Sequence, residues 1–240
     1  KIRLAVERLG LSSVSPFRAE RRIIEYMIAD KAEEPLAGGS VRTFVELLGS
    51  RAPAPGGGSA AALSAAMGAA LGAMVGGTTY GKKKFEDKDA VMRRIIPALH
   101  QAMTDLIPMI DADAAAFNEY MAASGMPKDT PEQAAHRLQC LREGLKKTVE
   151  VPLRTMRLAD GCWEAMVEMA AHGNLASRSD LEVGAKSLEA GIWGAARNVT
   201  TNLPGLEDEP FRKAVAAEVE ALVARAKARR DEVLAILARR

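Results

Sequence analysis

The sequence predicts an all-α fold, an up-and-down bundle of five or six helices. Three observations carry that expectation. Apolar residues recur at every third or fourth position through most of the chain, the period of helices with one buried face. No alternating run of β-branched residues bounded by turns reads as a strand. The turn-forming clusters are short, and short helix–helix connections favour antiparallel neighbours.

Residues 1–39 read as an appendage. Ile2–Leu11 has a short amphipathic pattern, and Ile23, Ile24, Tyr26 and Met27 mark a second short helix or strand over Arg18–Ile28. Asp30–Gly39 is charged and turn-rich and leads into Gly38-Gly39-Ser40, the composition of a linker. A boundary is therefore expected after residue 39, with the main domain over 40–240. Ser40 is expected to cap a helix over Val41–Gly49 with Phe44, Leu47 and Leu48 inward.

Ala52-Pro-Ala-Pro-Gly-Gly-Gly-Ser59 is the strongest punctuation in the chain. Proline stiffens the approach and three glycines let the backbone turn sharply. Ser59 is read as the cap of the next helix. Two readings of Gly56, Gly57, Gly58 and Ser59 stand side by side. One is a plain loop before a helix. The other is a cradle whose free N–H groups meet a negative group or a polar ligand edge. No Lys-Ser/Thr follows the glycines, so this is not a P-loop.

Ser59–Tyr80 is nearly all Ala, Gly, Met and Leu, and Ala52 to Gly81 holds no charge. The segment is long enough to span a membrane, but Ala and Gly make it only weakly apolar. Gly68, Gly72 and Gly76 stand four apart and permit close helix–helix approach. A central buried or dimer-forming helix is expected, with no membrane association. Gly81 ends it. Lys82-Lys83-Lys84 then either complements the helix dipole or forms a cationic rim for an anionic ligand.

Over Met92–Tyr120 one stripe appears: Met92, Ile96, Leu99, Met103, Leu106, Ile110, Asp113, Phe117 and Tyr120. Eight of the nine suit a buried face. Asp113 does not, because an ionised carboxylate on an apolar seam is costly unless paired, hydrogen-bonded or protonated. It is either a structural acid satisfied by a neighbouring helix or a group with a raised pKa suited to acid–base chemistry. Asp105 and Asp111 lie off the stripe and read as solvated. Pro97 and Pro108 are expected to kink or split this helix.

Thr130-Pro131-Glu132-Gln133 opens the next helix, with Thr130 as cap and proline first. Leu138, Leu141 and Leu145 line its face, and Pro152 is expected to kink or break it. Leu158, Cys162, Met166 and Met169 continue to a stop at Gly173. The polar run Asn174–Asp180 leads into Leu181–Leu203, whose stripe Leu181, Ala185, Leu188, Ile192, Ala195, Val199 ends in Asn202. Pro204–Pro210 is a turn. Phe211, Val215, Val219, Leu222, Ala226 and Val233 line a last helix over Phe211–Leu237.

Composition narrows the function. A chain of 240 residues suits one large domain, or one domain with an appendage. Net charge is +2 with acids and bases interspersed, which argues against nucleic acid and acidic membrane surfaces. Aromatic residues are 4%, too few for base-stacking platforms. Cys140 and Cys162 make no disulfide framework, and His100, His136 and His172 have no metal-ligand spacing. No signal-peptide pattern is seen, so a cytoplasmic location is expected. The first residue is Lys1, and the chain is expected to be a piece of a longer one.

Five stretches carry a resemblance: 52–59, Met74-Val-Gly-Gly-Thr-Thr-Tyr-Gly-Lys82, Ile110-Asp-Ala-Asp-Ala-Ala-Ala-Phe117, Met126-Pro-Lys-Asp-Thr-Pro-Glu132 and Gly173-Asn-Leu-Ala-Ser-Arg-Ser-Asp180. Together they resemble the formimidoyltetrahydrofolate cyclodeaminase family, which includes bacterial methenyltetrahydrofolate cyclohydrolases of the same helical type. The resemblance covers roughly residues 40–240. Lys1–Ile28 resembles the segment that joins a formiminotransferase domain to this domain in the bifunctional enzyme.

The resemblance implies a homodimeric helical domain that binds folate and needs no metal or other cofactor. It implies conversion of 5-formiminotetrahydrofolate to 5,10-methenyltetrahydrofolate and ammonia, in histidine degradation and one-carbon metabolism. The second Asp of its Asp-Ala-Asp unit, here Asp113, is the implied acid/base. Gly56, Gly57, Gly58 and Ser59 would meet the pterin or a carboxylate. Lys82, Arg178 and Lys186 either meet the glutamate tail or serve the helices structurally. Asn174, Asp180, Asn198 and Asn202 either bind pterin edges or hold helices together. A methenyltetrahydrofolate cyclohydrolase is the rival enzyme, and a helical oligomerisation module is the non-enzymatic rival.

Overall fold

The computed structural model describes residues 35–240 together with Arg8 and Leu9. Apart from those two residues, the patterns read over Ile2–Leu11 and Arg18–Ile28 lie outside the described residues. Among the described residues there is no strand. A short helix, α1 (Val41–Leu48), precedes six more: α2 (Gly57–Thr79), α3 (Asp89–Ser124), α4 (Pro131–Asp160), α5 (Trp163–His172), α6 (Arg178–Asn202) and α7 (Glu209–Arg239).

Ser40 caps α1 as expected, its Oγ accepting from the Thr43 N–H at 3.0 Å. Phe44 is buried against Ala62, Met109 and Ile110, with Leu36 and Ala37 packed beside it. Leu47 and Leu48, expected inward, are 39% and 37% exposed. The helix touches the bundle through one residue of its stripe, so its last turn stands clear.

The uncharged helix α2 is central. It runs antiparallel to α3 on one side and α6 on the other. Gly58 faces Asp113 while Gly72 faces Leu99 and Gly76 faces Ile96. Across α6, Gly57 faces Asn198, and Gly68 faces Leu188. A Cβ on Gly68 would stand 2.6 Å from Leu188 Cγ and 2.7 Å from the Gly184 carbonyl oxygen. These small residues are what allow the helices to lie so close. α2 is long and apolar enough to cross a membrane, alone in this among the described residues, and much of it is buried between its neighbours.

Two helix boundaries differ from expectation. α2 begins at Gly57 with Gly56 as its N-cap, so Ser59 stands inside the first turn and its side chain is released to a neighbouring helix. At the other end Thr79 is the last helical residue, and Gly81 adopts φ +73°, a left-handed turn that suits glycine. A 3₁₀ turn over Lys83–Lys88 then leads into α3.

α3 runs as one helix through both Pro97 and Pro108, which do not split it. α4 opens with the Thr130–Gln133 capping box and also passes through its proline, Pro152, where a kink or break was expected. Pro152 has no N–H for the Thr148 carbonyl. The Asn202 Nδ2 on α6 donates to that oxygen instead, at 3.2 Å. The break falls at Gly161–Cys162. Leu138 is 47% exposed, because the α3–α4 hairpin closes at Gly144 against Tyr120 and the turns before it project outward.

The core lies between α2, α3, α5 and α6, with Met92, Leu99, Leu106, Met166, Met169, Leu188 and Ile192 fully buried. α7 covers it with Val215, Val219, Leu222, Ala226 and Val233. Glu189 on α6 and Arg230 on α7 pair at 2.7 Å where both are largely buried.

Candidate functional site at the start of α2

The α3 stripe holds: Met92, Leu99, Leu106 and Ile110 are buried and Asp113 continues the same face. There α3 meets the first turn of α2. The carboxyl of Asp113 lies directly over the Gly58 Cα, so close that a Cβ on Gly58 would stand 2.0 Å from Oδ1 and 2.4 Å from Cγ. Ser59 is fully buried beside it. Its hydroxyl donates to the Ile110 carbonyl at 2.8 Å and to Asp113 Oδ2 at 3.2 Å.

No cation pairs with Asp113 among the described residues. Burial pushes its carboxyl above the usual carboxylate range, and hydrogen bonds from the Ser59 side chain and backbone pull it partly back. The first-turn N–H groups of Gly57, Gly58 and Ser59 have no partner within the helix, and they carry the positive end of the α2 dipole. Gly56 offers no side-chain cap to them. The result is a carboxyl shifted towards its neutral form, set against a donor-rich helix start.

Asn198 stands on the opposite flank of this turn. Its Nδ2 would be 3.8 Å from a Cβ on Gly57, and it donates to the Gly194 carbonyl at 3.0 Å. The structure therefore brings together Gly56, Gly57, Gly58, Ser59, Asp113 and Asn198.

It does not bring the other candidates to the same place. α2 is about 34 Å long at 1.5 Å per residue, and Lys82 lies beyond its far end. Asn174 is at that far end too, where its N–H donates to Thr79 Oγ1 at 2.9 Å and its side chain accepts from Ala176 N–H. Arg178 and Asp180 open α6 beside them. Arg178 is paired with Glu182 at 2.7 Å. Lys186 lies part-way along α6, in an open cleft it shares with Ser64, Arg178, Glu182 and Val183. Asn202 is committed to the Thr148 carbonyl.

Asp111 was read as solvated, and the structure overturns this: it is 9% exposed. Its two oxygens accept from the Leu36 and Ala37 N–H groups at 2.7 and 3.0 Å. Pro108, Asp111, Ala112, Ala115 and Asn118 share the face of α3 opposite the stripe, and that face is nearly all small residues. They line a cleft of about 620 Å³ with Leu36 and Pro55. Asp113 points the other way and does not line it. Cys162 offers no nucleophile, since burial pushes its thiol up to about 12.

Comparison with known proteins adds to this geometry. The family model described as Formiminotransferase-cyclodeaminase matches residues 40–221. The model described as Formiminotransferase domain matches residues 1–29. The Formimidoyltransferase-cyclodeaminase of Dictyostelium discoideum is 53% identical over 100% of this chain and 44% of its own length. That of Gallus gallus is 47% identical over 100% of this chain and 44% of its own. The chain thus spans less than half the length of these curated relatives. The Methenyltetrahydrofolate cyclohydrolase of Methylorubrum extorquens is 39% identical over 81% of this chain and 93% of its own length. Among solved structures, formiminotetrahydrofolate cyclodeaminase from Thermotoga maritima superposes with a TM-score of 0.73 at 29% identity, over 83% of this chain and 96% of that one.

Proposed function

The chain belongs to the formiminotransferase-cyclodeaminase family, and from that premise we propose that it closes 5-formiminotetrahydrofolate to 5,10-methenyltetrahydrofolate with release of ammonia. The observation that carries the proposal is the Asp113 carboxyl, held against Gly58 and Ser59 with no paired cation among the described residues.

The chemistry asks for little else. The attacking atom is the 10-nitrogen of the folate itself, so the protein supplies no nucleophile. Attack on the formimino carbon forms the new carbon–nitrogen bond, and loss of the amino group breaks the old one. Between those steps one proton leaves the attacking nitrogen and one joins the departing amine. A single carboxyl within hydrogen-bond reach serves both transfers. Its raised pKa makes it a better base than an exposed aspartate and keeps it able to return the proton. The first-turn N–H groups of α2 and the Asn198 amide suit a polar ring edge. Holding the two reacting atoms together supplies much of the rate. No cofactor is called for.

A homodimer belongs to the same reading. The outer face of α2 carries Met67 and Met74, 46% and 38% exposed, with no charge anywhere along the helix. On α6 the neighbouring Val183 and Trp193 are 55% and 56% exposed. The uncharged outer face of α2 fits a second copy. A two-fold whose axis crosses α2 would run the two copies of the helix antiparallel and bring the cationic end of one copy towards Asp113 of the other.

The test is an ammonia assay with 5-formiminotetrahydrofolate beside a hydrolysis assay with 5,10-methenyltetrahydrofolate. Ammonia release that disappears in Asp113→Asn supports the proposal. Hydrolysis without ammonia release points to the cyclohydrolase, the reading favoured by the Methylorubrum relative. No binding of either folate by calorimetry would overturn both.

A further inference from the structure

We infer that Asp111 is a positioning residue for Asp113: its carboxylate ties the segment before α1 to α3 and so holds the Ile110–Asp113 turn in place. The inference rests on reading Asp113 as the proton carrier. Among the described residues no cation pairs with Asp111, although it is nearly fully buried. Two successive backbone N–H groups, of Leu36 and Ala37, donate to it instead, one to each oxygen. Hydrogen bonds to a charged acceptor are stronger than neutral ones, and this pair has bidentate geometry. Leu36 and Ala37 also pack beside Phe44, Met109 and Ile110, so the strap is seated by apolar contact as well.

The geometry explains why α3 is tied here. Pro108 lies three residues earlier and cannot donate to the Thr104 carbonyl, so the helix lacks one rung just before the site. The turn that follows is held from two sides. On one, Ser59 Oγ donates to the Ile110 carbonyl. On the other, Asp111 grips the strap. Positions 111 and 113 are about 200° apart around the helix, so the strap and the reacting carboxyl sit on opposite sides of one turn. Releasing one side lets the turn shift towards the other, and a shift of about 1 Å is enough to slow chemistry.

The test uses the 240-residue chain with Asp111→Ala, Asp111→Asn and Asp111→Glu. Three quantities are read: amide exchange at Leu36 and Ala37, the titration midpoint of the Asp113 carboxyl by carbon NMR, and kcat and KM for ammonia release. In Asp111→Ala the two amides should exchange at least about tenfold faster. The Asp113 midpoint should shift from its wild-type value as the turn moves, because burial and the Ser59 hydrogen bonds that set it both depend on position. The kcat should drop about tenfold with KM within about twofold. Asp111→Glu keeps both acceptor oxygens and should recover at least about half of that loss on a logarithmic scale. If Asp111→Ala does not fold, Asp111→Asn keeps the volume and one acceptor and carries the same measurements. Freed amides with an unmoved Asp113 midpoint would overturn the inference, as would amides that stay protected. A wild-type chain that releases no ammonia would sink the cyclisation reading, and the Asp113 midpoint would still decide this one.

Discussion

Gly58→Ala puts the site to its most direct test. The new Cβ would stand 2.0 Å from Asp113 Oδ1, 2.4 Å from Cγ and 2.6 Å from Oδ2. A carbon needs about 3.5 Å from a non-bonded heavy atom, so the carboxyl must retreat by roughly 1 to 1.5 Å. It is free to do so, since it ends a rotatable side chain and no ion pair among the described residues holds it. An off-rotamer side chain costs about 0.5–1.5 kcal/mol. Replacing glycine by alanine in a helix returns about 0.5–1 kcal/mol. The two nearly cancel, and the melting temperature should move by no more than a few degrees. Catalysis has no such cancellation. A displacement of this size costs about 10²-fold in rate, or about 2.7 kcal/mol. The assay is ammonia release at saturating substrate with thermal unfolding in parallel. Gly77→Ala serves as the stability control, because nothing lies within 4 Å of its new Cβ. Turnover within about threefold of wild type in Gly58→Ala would refute the placement of the proton carrier, given how steeply rate depends on position.

Three further outcomes are expected. Burial holds the folded Asp113 carboxyl above its unfolded value, so the fold keeps that proton longer, and wild-type stability falls as pH rises from the ordinary Asp range through the raised folded value. Asp113→Asn abolishes that fall, so denaturation across the acid limb should show it gaining on wild type as pH rises, while ammonia release drops by about 10²-fold or more. Asn202→Ala leaves the Thr148 carbonyl above Pro152 without its donor and should cost about 1–3 kcal/mol in chemical denaturation, a loss that a purely pterin-binding asparagine would not produce. Gly68→Ala drives a carbon to 2.7 Å from the Gly184 carbonyl oxygen, which is backbone and cannot swing away; a loss of about 1–3 kcal/mol is expected, and an unchanged melting temperature would contradict the close α2–α6 packing.

Period and punctuation made most of the fold legible. The helical stripes of α3, α6 and α7 and the caps at Ser40 and Thr130 are found where residue type alone put them. Asp113 was visible because one acid interrupted a greasy face. What stayed hidden depends on partners distant in sequence. Pro152 looked like a helix breaker because the compensating donor, Asn202, lies 50 residues away on another helix. Asp111 looked solvated because its partners are backbone N–H groups, which every sequence has and no pattern marks. The glycine cradle looked like one site with Lys82 and Arg178 because residue type carries no distance, and the length of α2 keeps them apart.

The glycine at position 58 connects the packing argument to the chemistry. A carboxyl proposed to take a proton and return it is served by opposed influences, of which burial is the larger. Burial on the α3 seam favours the neutral acid; the Ser59 hydrogen bonds favour the carboxylate. Both act only at short range, so the carboxyl has to touch the seam and the helix start together. Any side chain at position 58 would occupy that point of contact. It would push the acid back along the seam, where desolvation dominates and the proton stays, or out to water, where the pKa relaxes and the base is weak. An absent methyl group on α2 therefore sets the proton affinity of a residue on α3.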